Sequence, residues 1–195
     1  MGRTSLVIAA AWLAATSASC TTQIPSDEHY YDNFKTAVAN ADQQGYTPYW
    51  LGREFVAGGL TYKGPDVADF GDEVDGGGVS MGYSARLARG GVSLNMSLYS
   101  RDAWSRAEVA GISRVGANAS VRTVTVAGHT GTLVVIPSGT PGVRAIQLVL
   151  RLGETVVRAS VPFTISATPG GASPDPLSDE ATFLSVMQQL RPYPQ

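Results

Sequence analysis

The spacing of apolar residues predicts an α+β fold: an antiparallel, curved β-sheet with N-terminal and C-terminal helices packed to one side. Three observations lead there. From Val79 to Ile165, apolar and polar residues alternate in successive short runs separated by glycines, which is the period of half-buried strands joined by tight turns. Near the two ends of the chain the apolar spacing changes to that of a helix with one oily face. No internal repeat or second apolar core interrupts residues 26–195, so strands in one block with helices outside it form a single domain.

Taken in order, the chain opens with one positive charge (Arg3), an apolar run from Leu6 to Ala15, and small residues from Thr16 to Ser19. That is the layout of an export signal over residues 1–19, and its apolar run falls short of the roughly 20 residues needed to span a bilayer. Residues 20–25 make a short tether. Ser26 caps a helix expected from about Asp27 to Asp42, with acidic residues in its first turn and Tyr30, Phe34, Val38 and Ala41 on one face. Pro48 and the glycines that follow make the segment around Tyr49-Trp50-Leu51-Gly52 a short strand or an extended loop.

Asp66, Asp69, Asp72, Glu73 and Asp75 then crowd into an acidic stretch that ends in three glycines, read as a solvated loop. Val79, Met81, Tyr83, Ala85 and Leu87 alternate with polar residues, as do Val92, Leu94, Met96 and Leu98 after the Arg89-Gly90-Gly91 turn, giving a hairpin. Arg101 to Ala110 reads as a short helix with Asp102 as cap and Trp104 as anchor. Strands follow over Val121–Val126 and Thr132–Ile136 around Gly128, and over Ala145–Leu152 and Thr155–Ile165 around Gly153, with Pro162 at an end or edge. Thr168 to Pro176 is a Pro/Gly/Ser loop. Ser178-Asp179-Glu180 starts the closing helix, whose stripe is Phe183, Leu184, Met187 and Leu190.

Composition excludes more than it selects. The formal net charge is −2, and removing Arg3 with the leader takes it to −3; no basic stripe interrupts this balance, so nucleic acid is not an expected partner. One cysteine permits no intramolecular disulfide. Two histidines, His29 and His129, stand far apart in the sequence, so no zinc site is expected, and no cofactor.

Four patterns carry possible chemistry. The acidic stretch from Asp66 to Asp75 offers the oxygen ligands calcium uses, but its spacing is not that of a known calcium loop, and we read it as solvated surface. Gly78-Val79-Ser80-Met81-Gly82 matches Gly-x-Ser-x-Gly, with Asp102 and His129 following in the chain order of a hydrolase triad. The alternation around Ser80 is that of a strand, whereas a nucleophile elbow needs a strand-to-helix turn, so these three residues are not expected to meet. His129 reads as an exposed turn residue. The aromatics of the Tyr49–Phe55 stretch read as core in preference to a stacking platform for a ligand.

Ser17-Ala18-Ser19-Cys20 resembles the lipobox of bacterial lipoproteins, departing from it at Ser17, where an aliphatic residue is usual. The resemblance implies a diacylglyceryl group on Cys20 and a membrane-anchored, extracytoplasmic domain; the alternative is cleavage near Ser17 or Ser19 and a soluble secreted chain. The string Tyr49-Trp50-Leu51-Gly52 with Phe55 and Leu60 is similar to a segment of uncharacterised exported bacterial proteins and implies no activity. The order of hairpins and terminal helix is loosely similar to curved-sheet periplasmic lipoproteins that carry or sense lipids. The resulting expectation is a non-enzymatic binding or envelope-accessory domain with an envelope protein as partner; the alternatives are a carrier of an apolar ligand held between sheet and helix, and a serine hydrolase using Ser80.

Overall fold

A computed structural model describes residues 34–39, 41, 45–71, 78–87, 90–107, 118–137, 144–162 and 175–194. The leader, Cys20 and the start of the expected N-terminal helix lie outside them. The helix α1 holds residues 34–39 and 41, and its buried side chains Phe34, Ala37, Val38 and Ala41 follow the expected spacing.

The expected antiparallel sheet forms and makes the architecture mostly β, with a few short helices among the described residues. Eight strands form one open antiparallel sheet: β2 (Glu54–Ala57), β3 (Leu60–Gly71), β4 (Gly78–Leu87), β5 (Gly90–Ser100), β6 (Ser120–Val126), β7 (His129–Pro137), β8 (Arg144–Leu152) and β9 (Thr155–Val161). Their order across the sheet is β2-β3-β4-β5-β9-β8-β7-β6. Two four-stranded meanders therefore meet at their last strands, β5 and β9, and leave β2 and β6 at the edges. A separate two-stranded ribbon pairs β1 (Tyr49–Trp50) with β10 (Arg191–Pro192), bringing the first described strand against the last. The helices are short: α2 is Arg101–Ala107 and α3 is Glu180–Met187, the latter preceded by a 3-10 turn at Pro176–Ser178.

The balance moved toward β because the acidic stretch is not all loop. Asp66 and Asp69 lie in β3, opposite Gly82 and Ser80 of β4, across two register shifts that absorb extra residues. Asp72, Glu73 and Asp75 lie outside the described residues. The predicted hairpins β4–β5, β6–β7 and β8–β9 all form, with Ser80 opposite Ser97, Val126 opposite His129 and Leu152 opposite Thr155.

One face of the sheet makes the core. Met81, Tyr83, Leu94, Met96, Leu98, Leu133, Leu148, Leu150, Val157 and Ala159 are buried in one cluster with Phe183, Val186 and Met187 of α3. Phe34, Trp50 and Tyr193 add an aromatic end to it: Phe34 stacks on Trp50 at 5.7 Å, and Tyr193 meets both rings edge-on. Arg191 lies over the Trp50 ring, 5.8 Å from its centroid. The Tyr49–Phe55 aromatics thus pack within the fold, Phe55 stacking on Tyr62 at 4.9 Å.

At the end of the Pro/Gly/Ser loop, Asp175 and Pro176 are held by packing. Asp175 is 3% exposed and caps the 3-10 turn, accepting from the Leu177 N–H at 2.9 Å and from the Tyr62 hydroxyl at 2.8 Å. Pro176 lies against Gly58 in the β2–β3 turn, where φ is +54° and an added Cβ would collide with the proline ring. Asp179 then caps α3 through the Thr182 N–H and hydroxyl, which hold its carboxyl below the usual range.

Just past α3, Gln188 reaches the β6–β7 turn. Its side-chain oxygen accepts from the Ala127 N–H at 2.7 Å, and its nitrogen donates to the Thr125 carbonyl at 3.2 Å. These are the groups a neighbouring strand would take from the end of an edge strand. Because both bonds are solvent-exposed, Gln188→Ala is expected to lower the unfolding free energy by only about 1 kcal/mol, read as a lower urea midpoint at unchanged slope.

Candidate functional site

The residues singled out in the sequence do not converge. Ser80 is the third residue of β4, with strand continuing on both sides and no elbow, and its hydroxyl is 3.0 Å from that of Ser97. His129 begins β7, exposed, four strand spacings away across the sheet, on the order of 19 Å. Asp102 is exposed in the first turn of α2. A triad needs nucleophile, base and orienting acid within hydrogen-bond reach, and the strand order keeps Ser80 and His129 apart. Among the described residues no group of three or more His, Cys, Asp or Glu side chains could hold a metal ion.

What the sheet does assemble is a polar surface on the face opposite the core. Strand alternation fixes it: where Met81, Met96, Leu148 and Ala159 point inward, their neighbours point the other way. Ser80, Ser97, Arg158 and Val149 form one lateral row across β4, β5, β9 and β8. Gly82, Asn95, Ser160 and Gln147 form the next. Gly78, Tyr99, Val156 and Arg151 form the row on the other side. The floor of this surface is made of small residues, which leaves the longer side chains standing above it.

Helix α2 walls the surface at one end. It follows β5 directly; Ser100 caps it through the Ala103 N–H at 3.2 Å, and Ala103 and Trp104 are buried. Trp104 packs on Tyr99 with ring centroids 5.5 Å apart, and Tyr99 in turn lies over Gly78. Among the described residues the buried Trp104 indole N–H finds no acceptor. Arg158 is half-buried on the central strand β9; its Nη2 donates to the Gln147 side-chain oxygen at 3.3 Å, and its buried Nε–H finds no acceptor among the described residues.

Sequence reading passed over Arg158, Gln147 and Trp104 as functional groups. A signal was present for Arg158: it interrupts the apolar run Val156-Val157-Arg158-Ala159, and a cation in a central strand needs a reason. For Gln147 and Trp104 the significance lies in register and helix docking, which no local pattern carries. Compared with family models, curated proteins and solved structures, the chain matches none.

Proposed function

We propose that this chain is a membrane-anchored extracytoplasmic lipoprotein, held by a lipid on Cys20, whose domain works by binding and not by turnover. The observation that carries the anchor is Cys20, directly behind a short apolar run and small residues. One acyl chain holds a protein only marginally, whereas two or more give a stable anchor, so the diacylglyceryl group matters physically. No helix among the described residues is long and apolar enough to cross a membrane.

Binding is supported by the polar sheet face, where Ser80 is hydrogen-bonded to another serine and not to a base. In this reading the sheet is curved and the terminal helices share one side of it. The register shifts of β3 favour bending, and Phe34 of α1 and Phe183 of α3 belong to the same buried cluster. An envelope protein remains the expected class of neighbour.

The test is the intact mass of the mature chain from membrane and soluble fractions. A diacylglyceryl-sized increment at Cys20 that disappears in Cys20→Ala, with the variant moving to the soluble fraction, is the expected outcome. An unmodified soluble chain beginning near Ala18 or Cys20 would replace the anchored protein with a secreted one.

A further inference from the structure

We propose that the sheet face opposite the core binds a small oxyanion, a carboxylate or a phosphate group, on the guanidinium of Arg158. The inference gives a ligand class to the binding role above and rests on that reading. Its starting point is an electrostatic mismatch. Arg158 stands on a central strand between Ser97 of β5 and Val149 of β8, and among the described residues no carboxylate pairs with it. Among the described residues its hydrogen-bond partner is the neutral Gln147 amide at 3.3 Å, just beyond the usual N–H···O range, and its Nε–H finds no acceptor. A buried donor without an acceptor is uncommon in a native protein, and on a cation it is costly.

A second donor on the same face lacks an acceptor among the described residues. Trp104 packs over Tyr99, the cross-strand partner of Val156, two residues from Arg158 along β9. The two orphan donors therefore belong to adjacent rows of one surface. Ser80 and Ser97 share one hydrogen bond, so one of their two hydroxyl protons remains to donate, and Ser160 adds another hydroxyl beside Arg158. Donors thus collect around Arg158, while the aspartates that continue these rows, Asp66 and Asp69, lie on β3, three strands away from β9. The ligand that fits is an acceptor with negative charge and at least two oxygens, because a guanidinium presents parallel N–H groups to a planar or tetrahedral oxyanion. A neutral polyol would leave the charge unmatched, and a metal cation would be repelled by it. Gly82, Ser80, Ser97 and Ser160 are small, so the floor leaves room for such a group above it.

The experiment is a titration of the purified ¹⁵N-labelled chain, following the Arg158 Nε–H and Trp104 Nε1–H signals by NMR. The probes are inorganic phosphate, acetate and phosphatidylglycerol vesicles. Saturable shifts of the Arg158 signal are expected, with that of Trp104 moving at the same midpoint. Arg158→Gln should weaken binding at least about tenfold, and Arg158→Lys, which keeps the charge and loses the fork, should weaken it less. The backbone spectrum of each variant reports whether it is folded, and Ser97→Ala provides a second, milder probe of the same row. Saturation by phosphate or acetate supports a soluble ligand; saturation by vesicles alone supports a lipid headgroup. Shifts that never saturate, or that persist unchanged in Arg158→Gln, overturn the proposal. Because the mass at Cys20 is read separately, an anchored chain with a silent Arg158 removes the ligand class and leaves the anchored domain standing.

Discussion

Phe183→Ala is expected to lower the unfolding free energy by about 3–5 kcal/mol. Phe183 is 0% exposed and belongs to the buried cluster that α3 shares with the sheet. An eight-residue helix is not stable alone in water, so α3 exists because its apolar face is packed. Removing the largest side chain of that face takes away the transfer energy of a phenyl ring and leaves a cavity that the surrounding strands close only in part. The loss also loosens what α3 carries at its ends: the Arg122–Glu180 ion pair at its start and the Gln188 contacts with the β6–β7 turn just beyond it. Urea denaturation followed by tryptophan fluorescence reads the change. A loss below about 1 kcal/mol would mean that α3 contributes little to the core.

The second large effect lies at the buried hydrogen bond between Tyr62 and Asp175. Tyr62→Phe keeps the ring stacked on Phe55 but leaves Asp175 with the Leu177 N–H as its remaining donor, at an expected cost of about 1–3 kcal/mol. Its other oxygen, Oδ2, is already buried without a partner among the described residues. Burial raises the Asp175 carboxyl above its usual range, against the opposing pull of the Leu177 and Tyr62 hydrogen bonds. The Tyr62 hydroxyl is raised too, by burial first and then by Asp175.

The sign follows from linkage. A carboxyl whose folded pKa lies above its unfolded value of 3.8 contributes stability below that value and loses it as pH rises toward the folded pKa. Wild type should therefore lose stability relative to Asp175→Asn across this window, then run parallel to it at higher pH. In Tyr62→Phe the window should extend upward, because one hydrogen bond to the ionised form has gone. Unfolding free energies at pH 4, 5.5 and 7 for the three proteins test this; a wild-type-minus-Asn difference that is flat in pH would mean that Asp175 is solvated.

The parts of the fold that were legible in the sequence are those set by near neighbours. The hairpins β4–β5, β6–β7 and β8–β9 announce themselves because alternation and a glycine turn are both local. Strand β3 stayed hidden because Gly64-Pro65 and the aspartates break the alternation, and because its register shifts move side chains off a strict two-residue period. The β1–β10 ribbon joins Trp50 to Arg191, far apart in the chain, and two residues per strand leave no periodic trace. Asp175 looked like any polar loop residue, since only the approach of Tyr62 from β3 makes it a buried acid. The candidate site was the least legible of all. Arg158, Ser97, Ser80 and Gln147 sit on two hairpins, and the β5–β9 pairing that unites them follows from topology, not from pattern.

That same pairing has a kinetic meaning. Every other join within the sheet links strands consecutive in the chain, so each meander can zip from its own turns at low loop-closure cost. The β5–β9 seam instead joins residues more than a quarter of the chain apart, such as Asn95 and Ser160. Non-local pairings of this kind slow folding, so the expected order is two locally formed halves followed by a slower docking step along the seam. If β9 meets the β5 of another molecule first, the result is a half-exchanged dimer whose sheets are each complete. Protein concentration during refolding would then decide how many molecules close on themselves.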